Sequence, residues 1–184
     1  MNRTRNLRFF FATAAFASIS VTVYAQAPAA APANPLMGGE KGFYSIVIAN
    51  VVGAAEEMPE ANYSFKPTPD VRSFGQLVGH VADAQYLFCS IALGEKNPAP
   101  GIEKNKTTKD DLVQALKDAV AYCDKAYSGL TDAQATALVK MFGNETAKLT
   151  ALSVNTAHSD EHYGNMVTYL RLKGLVPPSS APRK

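Results

Sequence analysis

Histidine and cysteine are scarce in this sequence, with three of the first and two of the second. The cysteines, Cys89 and Cys123, lie far apart and form no C-x-x-C pair, which excludes the usual zinc-ribbon and thioredoxin-like motifs. There is no glycine-rich phosphate loop, no G-x-S-x-G elbow and no Ser-His-Asp set, so the common nucleotide and serine-hydrolase chemistries have no carrier. Basic residues are scattered and never alternate with aromatics in a stripe, which argues against a nucleic-acid partner. Internal repeats are absent, and no apolar run beyond the N-terminal segment is long enough to span a bilayer.

That N-terminal segment reads as an address. Arg3, Arg5 and Arg8 stand with no acid among them, an apolar stretch runs from Phe9 to Val23, and Val23-Tyr24-Ala25 ends it with residues suited to a signal peptidase. A signal peptide over 1–25 is expected, and with it an exported, periplasmic or secreted protein with no stable membrane span. The apolar run is shorter than the roughly 20 residues of a spanning helix. The chain carries 18 Lys and Arg against 16 acids. Three of those bases lie in the leader, so the mature chain has 15 against 16 and is almost neutral. Residues 26–35, QAPAAAPANP, have neither charge nor large apolar groups and read as an Ala/Pro linker. The folded body is expected over 36–178, with 179–184 as a tail. In an oxidising compartment two cysteines are either bridged or buried as inert thiols.

Four long segments carry helical periodicity. Phe43, Ile46, Val47, Val51 and Ala54 predict a first helix from about Glu40 to Glu57, ended by Met58-Pro59. Ser73-Phe74-Gly75-Gln76 is a capping box that opens a second helix, which runs to about Leu93 and stops at Gly94. Thr107-Thr108, followed by Asp110 and Asp111 in the first turn, opens the third. Its stripe of Leu112, Leu116, Ala119, Cys123, Ala126 and Leu130 marks one buried face. Leu138 to Phe142, before Gly143-Asn144, reads as a short extended piece. The last helix is expected from about Thr146 to Lys173, closed by Gly174 and Pro177-Pro178. The fold class is all-α, a four-helix bundle.

His158 and His162 are four apart on the last helix, where i and i+4 side chains share one face. His80 sits on the second helix in the line Leu77, His80, Ala84, Leu87, Ile91, whose other members are apolar, so it points inward. A lone inward histidine is ordinarily satisfied by a hydroxyl or a carbonyl. Three histidines at paired or inward positions fit instead a divalent metal site, since bundles build such sites from facing helices. His158-Ser159-Asp160-Glu161-His162 also matches the H-x-x-E-H metalloprotease pattern with Glu161 as general base. That pattern takes a further acidic ligand downstream, and no acid follows Glu161. Asp160 and Glu161 project away from the shared histidine face and read as solvated charge. Asp83 and Glu161 remain candidates for outer contacts to the imidazoles. Tyr163 and Tyr169 read as core or rim aromatics.

The segments SFGQLVGHVADAQYLF and NTAHSDEHYGNMVTYLRLKGLVPPSS resemble the DinB superfamily of YfiT-like metal-dependent bundles. The family pattern, one histidine on the second helix and an HxxxH pair on the last, falls on His80, His158 and His162. The resemblance implies up-down-down-up order, one divalent ion (zinc or nickel) and a homodimer. Parallel second and third helices would bring Cys89 and Cys123 to similar levels, making a disulfide possible. An antiparallel pair would separate them by roughly 15 Å along the axis. Some family members resemble thiol transferases or isomerases. The function expected is that of an exported metal-dependent transferase or hydrolase acting on a small molecule or thiol. The alternatives are a non-enzymatic metal-binding bundle and a structural one.

Overall fold

The computed structural model describes residues 33–182. The expected signal peptide and most of the expected linker lie outside these residues. Six α-helices and one hairpin follow in order: α1 Pro35–Glu57, α2 Phe74–Leu93, α3 Ile102–Asn105, α4 Lys109–Gly129, α5 Asp132–Ala135, β1 Leu138–Met141, β2 Asn144–Ala147 and α6 Lys148–Leu172. Single 3-10 turns occupy Glu60–Asn62 and Pro178–Ser180. Among the described residues, no helix is long and apolar enough to cross a membrane.

Side-chain caps set the starts of α2, α4 and α5. Ser73 and Gln76 exchange side-chain and backbone hydrogen bonds at the start of α2, and Gly94 ends it in the left-handed conformation. Thr108 accepts from the Asp111 amide to open α4. The first helix begins five residues before the Glu40 expected from periodicity. Pro35 stands in its first turn, where a missing N–H costs nothing. The Asp132 carboxylate accepts from the Leu36 and Met37 amides, while Asn34 Oδ1 accepts from the Asp132 amide. This clasp between distant segments holds a glycine-rich turn that propensity alone would leave frayed, so the helix begins at Pro35, the last residue of the expected linker.

Two further expectations are corrected. The extended piece is half of an antiparallel hairpin, with Leu138 opposite Ala147 and Met141 opposite Asn144, so the last helix starts at Lys148 and not at Thr146. The folded body also continues past Pro178. The Ser179 amide donates to the Tyr163 hydroxyl, which donates in turn to Ser179 Oγ.

The long helices run up, down, down, up. Leu112, early in α4, meets Gly75 and Gly79, early in α2, and Cys123 meets Cys89 near their far ends, so these helices are parallel. Tyr44 of α1 stacks on Tyr127 of α4 with ring centroids 3.8 Å apart, while Glu56 pairs with Lys117, so that pair is antiparallel. His80 meets His162 and Cys89 meets Asn155, which sets α2 antiparallel to α6. Tyr44, Tyr127, Phe74, Leu112, Leu116, Leu152 and Met166 fill the interior without exposure. Truncating any one of the leucines to alanine costs about 2–5 kcal/mol.

A polar network crosses this core. Fully buried Gln85 accepts from the Tyr44 hydroxyl (2.9 Å) and from Asn155 Nδ2 (2.9 Å), and donates to Ser159 Oγ (2.8 Å). Leaving a buried amide group unmatched costs about 1–3 kcal/mol, so the network favours this register of α2 against α6, with Asn155 Oδ1 the one atom of the network buried without a partner among the described residues. That register places His80 opposite His158 and His162. Cys89 and Cys123 are joined in a disulfide, Cα to Cα 5.3 Å, which ties α2 to α4 below the same level.

Candidate metal centre

The three imidazoles meet at one point. His80 Nε2 lies 3.1 Å from His158 Nε2, His162 Nε2 lies 3.2 Å from it, and the ligand atoms of all three fall within 4.8 Å of one another. The i, i+4 spacing on α6 and the single inward histidine of α2 suffice for this. Three nitrogens each about 2.05 Å from a tetrahedral ion would stand about 3.3 Å apart. Two edges are close to that length and the third is at most 4.8 Å, so the three rings could hold such an ion with a small closing of the widest edge.

Each ring has a different support. His80 Nδ1 lies 3.1 Å from Glu103 Oε2, and the other oxygen of Glu103 accepts from Arg72 Nε at 2.9 Å. A carboxylate on Nδ1 fixes the tautomer with Nε2 free to ligate and makes that nitrogen more basic. Asn165 Nδ2 lies 3.3 Å from His162 Nδ1; turning the amide over would offer its oxygen to a ring N–H instead. His158 Nδ1 is buried without a partner, and the ring is held by edge-to-face contact with Phe88 at 5.9 Å.

Burial pushes His158 down to about 4, and the neighbouring His162 and His80 rings and Arg72 add to the effect. His162 is also pushed down, by burial first and then by His80, against the opposing pull of Glu161 and Glu103. Both therefore keep the neutral, lone-pair form that a metal requires well into mildly acidic solution.

The outer contact to His80 is Glu103, which no sequence pattern marks, and not the expected Asp83. The two are linked. Asp83 Oδ1 accepts from the Gly101 and Ile102 amides, both at 2.8 Å, and Oδ2 accepts from the Glu103 amide at 2.9 Å. Asp83 thus caps the short helix that delivers Glu103 and makes no recorded bond to an imidazole. Gly79 permits the approach, since a β-carbon there would stand 2.7 Å from Glu103 Cα. Glu161 is exposed and, among the described residues, makes no hydrogen bond to the cluster, and the third side chain at the centre is His80 and not a downstream acid.

Two clefts reach the cluster. One of about 760 Å³ is polar, with Lys66, Arg72, Glu103, Glu161 and Asn165 beside His162. The other, of about 510 Å³, is walled by Leu87, Phe88 and Phe142 beside His80 and His158.

A family model described as the DinB superfamily matches residues 44–166. The chain belongs to the DinB superfamily. An uncharacterized protein of Bacillus subtilis (strain 168), YjoA, is 28% identical over 123 residues, covering 65% of this chain and 79% of that one. A DinB-like protein of Bacillus cereus shares the fold with a TM-score of 0.68 at 17% identity, over 77% of this chain and 95% of that one. The solved structure of the Bacillus subtilis DinB-like protein YjoA aligns with a TM-score of 0.61 at 23% identity, over 82% of this chain and all of the other. At these identities the structures speak for the DinB fold alone, and the histidine cluster stands on this chain's own geometry.

Proposed function

We propose that this DinB-superfamily protein is exported and binds one divalent ion through His80, His158 and His162, as a metal-dependent transferase or hydrolase acting on a small molecule. The observation that carries the reading is the convergence of three ring nitrogens from two helices, with Glu103 fixing the tautomer of one. A divalent ion held there supplies Lewis acidity, which makes a nucleophile of water or a thiol near neutral pH. Around it, Glu103, itself held by Arg72, steadies the His80 ring, the Gln85 network holds α2 against α6, and the two clefts give a substrate access to the cluster. Three imidazoles suit zinc, nickel, copper or iron, with zinc and nickel favoured by the family resemblance. Export is supported by the basic and apolar start of the sequence and by the Cys89–Cys123 disulfide, a bond rare in reducing compartments.

Metal quantitation on protein purified without added metal tests the reading. The native chain should carry about one divalent ion, and His158→Ala should carry less than about a tenth of that. A native chain without metal that also fails to take up zinc or nickel at micromolar concentration removes the proposal. Export is checked separately by the N-terminus of the mature protein, expected at Gln26.

A further inference from the structure

The second cleft has a composition that a polar ligand would not need. Ala84, Leu87, Phe88, Pro100 and Phe142 wall it, and His80 and His158 form its inner end. Most of the polar side-chain atoms on its walls are already committed. Both Asp83 oxygens accept backbone amides, and Asn97 Oδ1 accepts from the Ala99 amide at 3.0 Å. Among the described residues Asn97 Nδ2 is left without a bond, and the ring nitrogens mark the histidine end of the cleft. Leu87 and Phe142 are 37% and 69% exposed, apolar surface left facing solvent beside a candidate reactive centre.

Phe142 is the unusual member. It occupies the tip of the β1–β2 hairpin with φ +51°, followed by Gly143 at φ +86°. A two-residue turn with both φ positive favours Asn-Gly or Asp-Gly, and a bulky aromatic in the first position is strained. Such strain marks a residue retained for something other than the turn. Its ring meets Phe88 edge-to-face at 6.0 Å, and Phe88 in turn meets His158 at 5.9 Å. The hairpin thus holds an aromatic wall over the cleft at the cost of its own turn.

We infer that this cleft seats an aromatic or similarly sized apolar arm of the substrate, with Phe142 as a specificity residue, while the substrate's polar end reaches the histidines. The inference rests on the proposed function for the role of the histidines, and it names the substrate class of that same site. A volume of about 510 Å³ lies within the roughly 300–1,000 Å³ of small-molecule pockets, and aromatic walls around a few convergent polar groups are the usual chemistry of such pockets.

The probe is 2-phenylethanol, with ethanol as the comparison. The two differ by a phenyl ring, and neither depends on a metal for binding. The full chain is titrated in the metal-free and zinc-treated states while the backbone amides are followed by NMR. Saturable shifts at Leu87, Phe88 and the hairpin with 2-phenylethanol, and none with ethanol, support the inference. Phe142→Asn should raise Tm, because asparagine suits the left-handed turn, and should weaken the probe about fivefold through loss of an aromatic contact. Affinity and stability moving in opposite directions separates a ligand-binding wall from a structural one. The inference is overturned by unsaturable shifts, by shifts confined to the exposed Phe43 and Ile46 of α1, by shifts that track self-association, or by unchanged affinity in Phe142→Asn. Because the metal-free arm stands alone, a chain that binds the ring but no metal refutes the metal reading, and the reverse result refutes only the cleft.

Discussion

Gly79 is the position at which one methyl group should uncouple metal affinity from stability. A β-carbon built there stands 2.7 Å from Glu103 Cα and 3.1 Å from Glu103 N, where carbon–carbon contacts settle at about 3.5–4.0 Å. The obstacle is backbone, so α3 must move away from α2 by about 1 Å. The 3.1 Å separation of His80 Nδ1 and Glu103 Oε2 then opens to about 4 Å, beyond hydrogen-bond range. Losing the outer partner of a metal-ligating histidine lowers affinity about 10- to 100-fold, or about 1.4–2.7 kcal/mol. The fold should suffer less. Alanine in a helix gains up to about 1 kcal/mol over glycine, which offsets part of the overpacking cost of about 1–3 kcal/mol.

Chelator competition gives the metal affinity of Gly79→Ala, and thermal unfolding of the metal-free protein gives its stability. Glu103→Ala should lose a comparable factor. The double variant should lose hardly more than either single one, because both changes remove the same bond. If Gly79→Ala remains folded and binds zinc as tightly as the native chain, the link from Gly79 through Glu103 to His80 is wrong. Strict additivity in the double variant would refute it equally.

The other expectations concern the frame. Replacing Cys89 and Cys123 with alanine should cost about 3–4 kcal/mol, the loop-closure value for cysteines 34 residues apart, seen as a lower urea midpoint; an unchanged midpoint would mean the bridge does not constrain the unfolded chain. Tyr44, Tyr63 and Tyr127 are buried, and burial, reinforced for Tyr44 and Tyr63 by neighbouring charge, holds their phenols well above the usual range. Below about pH 10 these phenols are protonated folded and unfolded alike; above it the unfolded chain releases protons that the folded one keeps, so stability should fall by about 1.4 kcal/mol per pH unit for each tyrosine. Urea midpoints that stay flat between pH 9.5 and 11 would contradict this. Asp132→Ala should remove the clasp on α1 and cost about 1 kcal/mol, with faster hydrogen exchange at Leu36 and Met37; unaltered exchange there would show that Pro35 alone starts the helix.

The long helices were legible because their signals repeat. Leu112 to Leu130 marks one face at every turn, and Ser73, Gln76 and Gly94 are local chemistry that needs no tertiary contact to be read. The histidines were legible for a related reason, since spacing on a helix fixes direction and only three were available. Glu103 was hidden because its helix has four residues, too few for a period, and because its cap, Asp83, lies on another helix. The available signal was indirect. Asp83 sits three residues after His80 and so shares its side of α2, and Gly101 precedes an isolated Ile-Glu pair. The early start of α1 was hidden in the same way, in a carboxylate 95 residues away from the amide it caps. The hairpin was half legible, since Leu138 to Met141 alternates outward and half-buried, whereas Asn144 to Ala147 has the composition of a helix start and becomes a strand only by pairing.

What fixes the candidate site is therefore less the histidines than the groups that prevent α2 from sliding. A one-residue slip of α2 along α6 would turn His80 by about 100° and carry it about 1.5 Å along the axis, enough to remove it from the other two rings. The same slip would strand Gln85 without Asn155 and Ser159, leaving buried amide groups unmatched. It would also pull against the covalent tie to α4 at Cys89 and lift α3 off its seat at Gly79. Gln85 and Cys89 share one face of α2 and Gly79 lies on another, so the helix is held from two sides. His80 and His162 are also steadied by neighbours at Nδ1, whereas His158 has packing alone. A centre built this way is set before any ligand arrives, with His158 held by its packing on Phe88 and by its place between the other two rings.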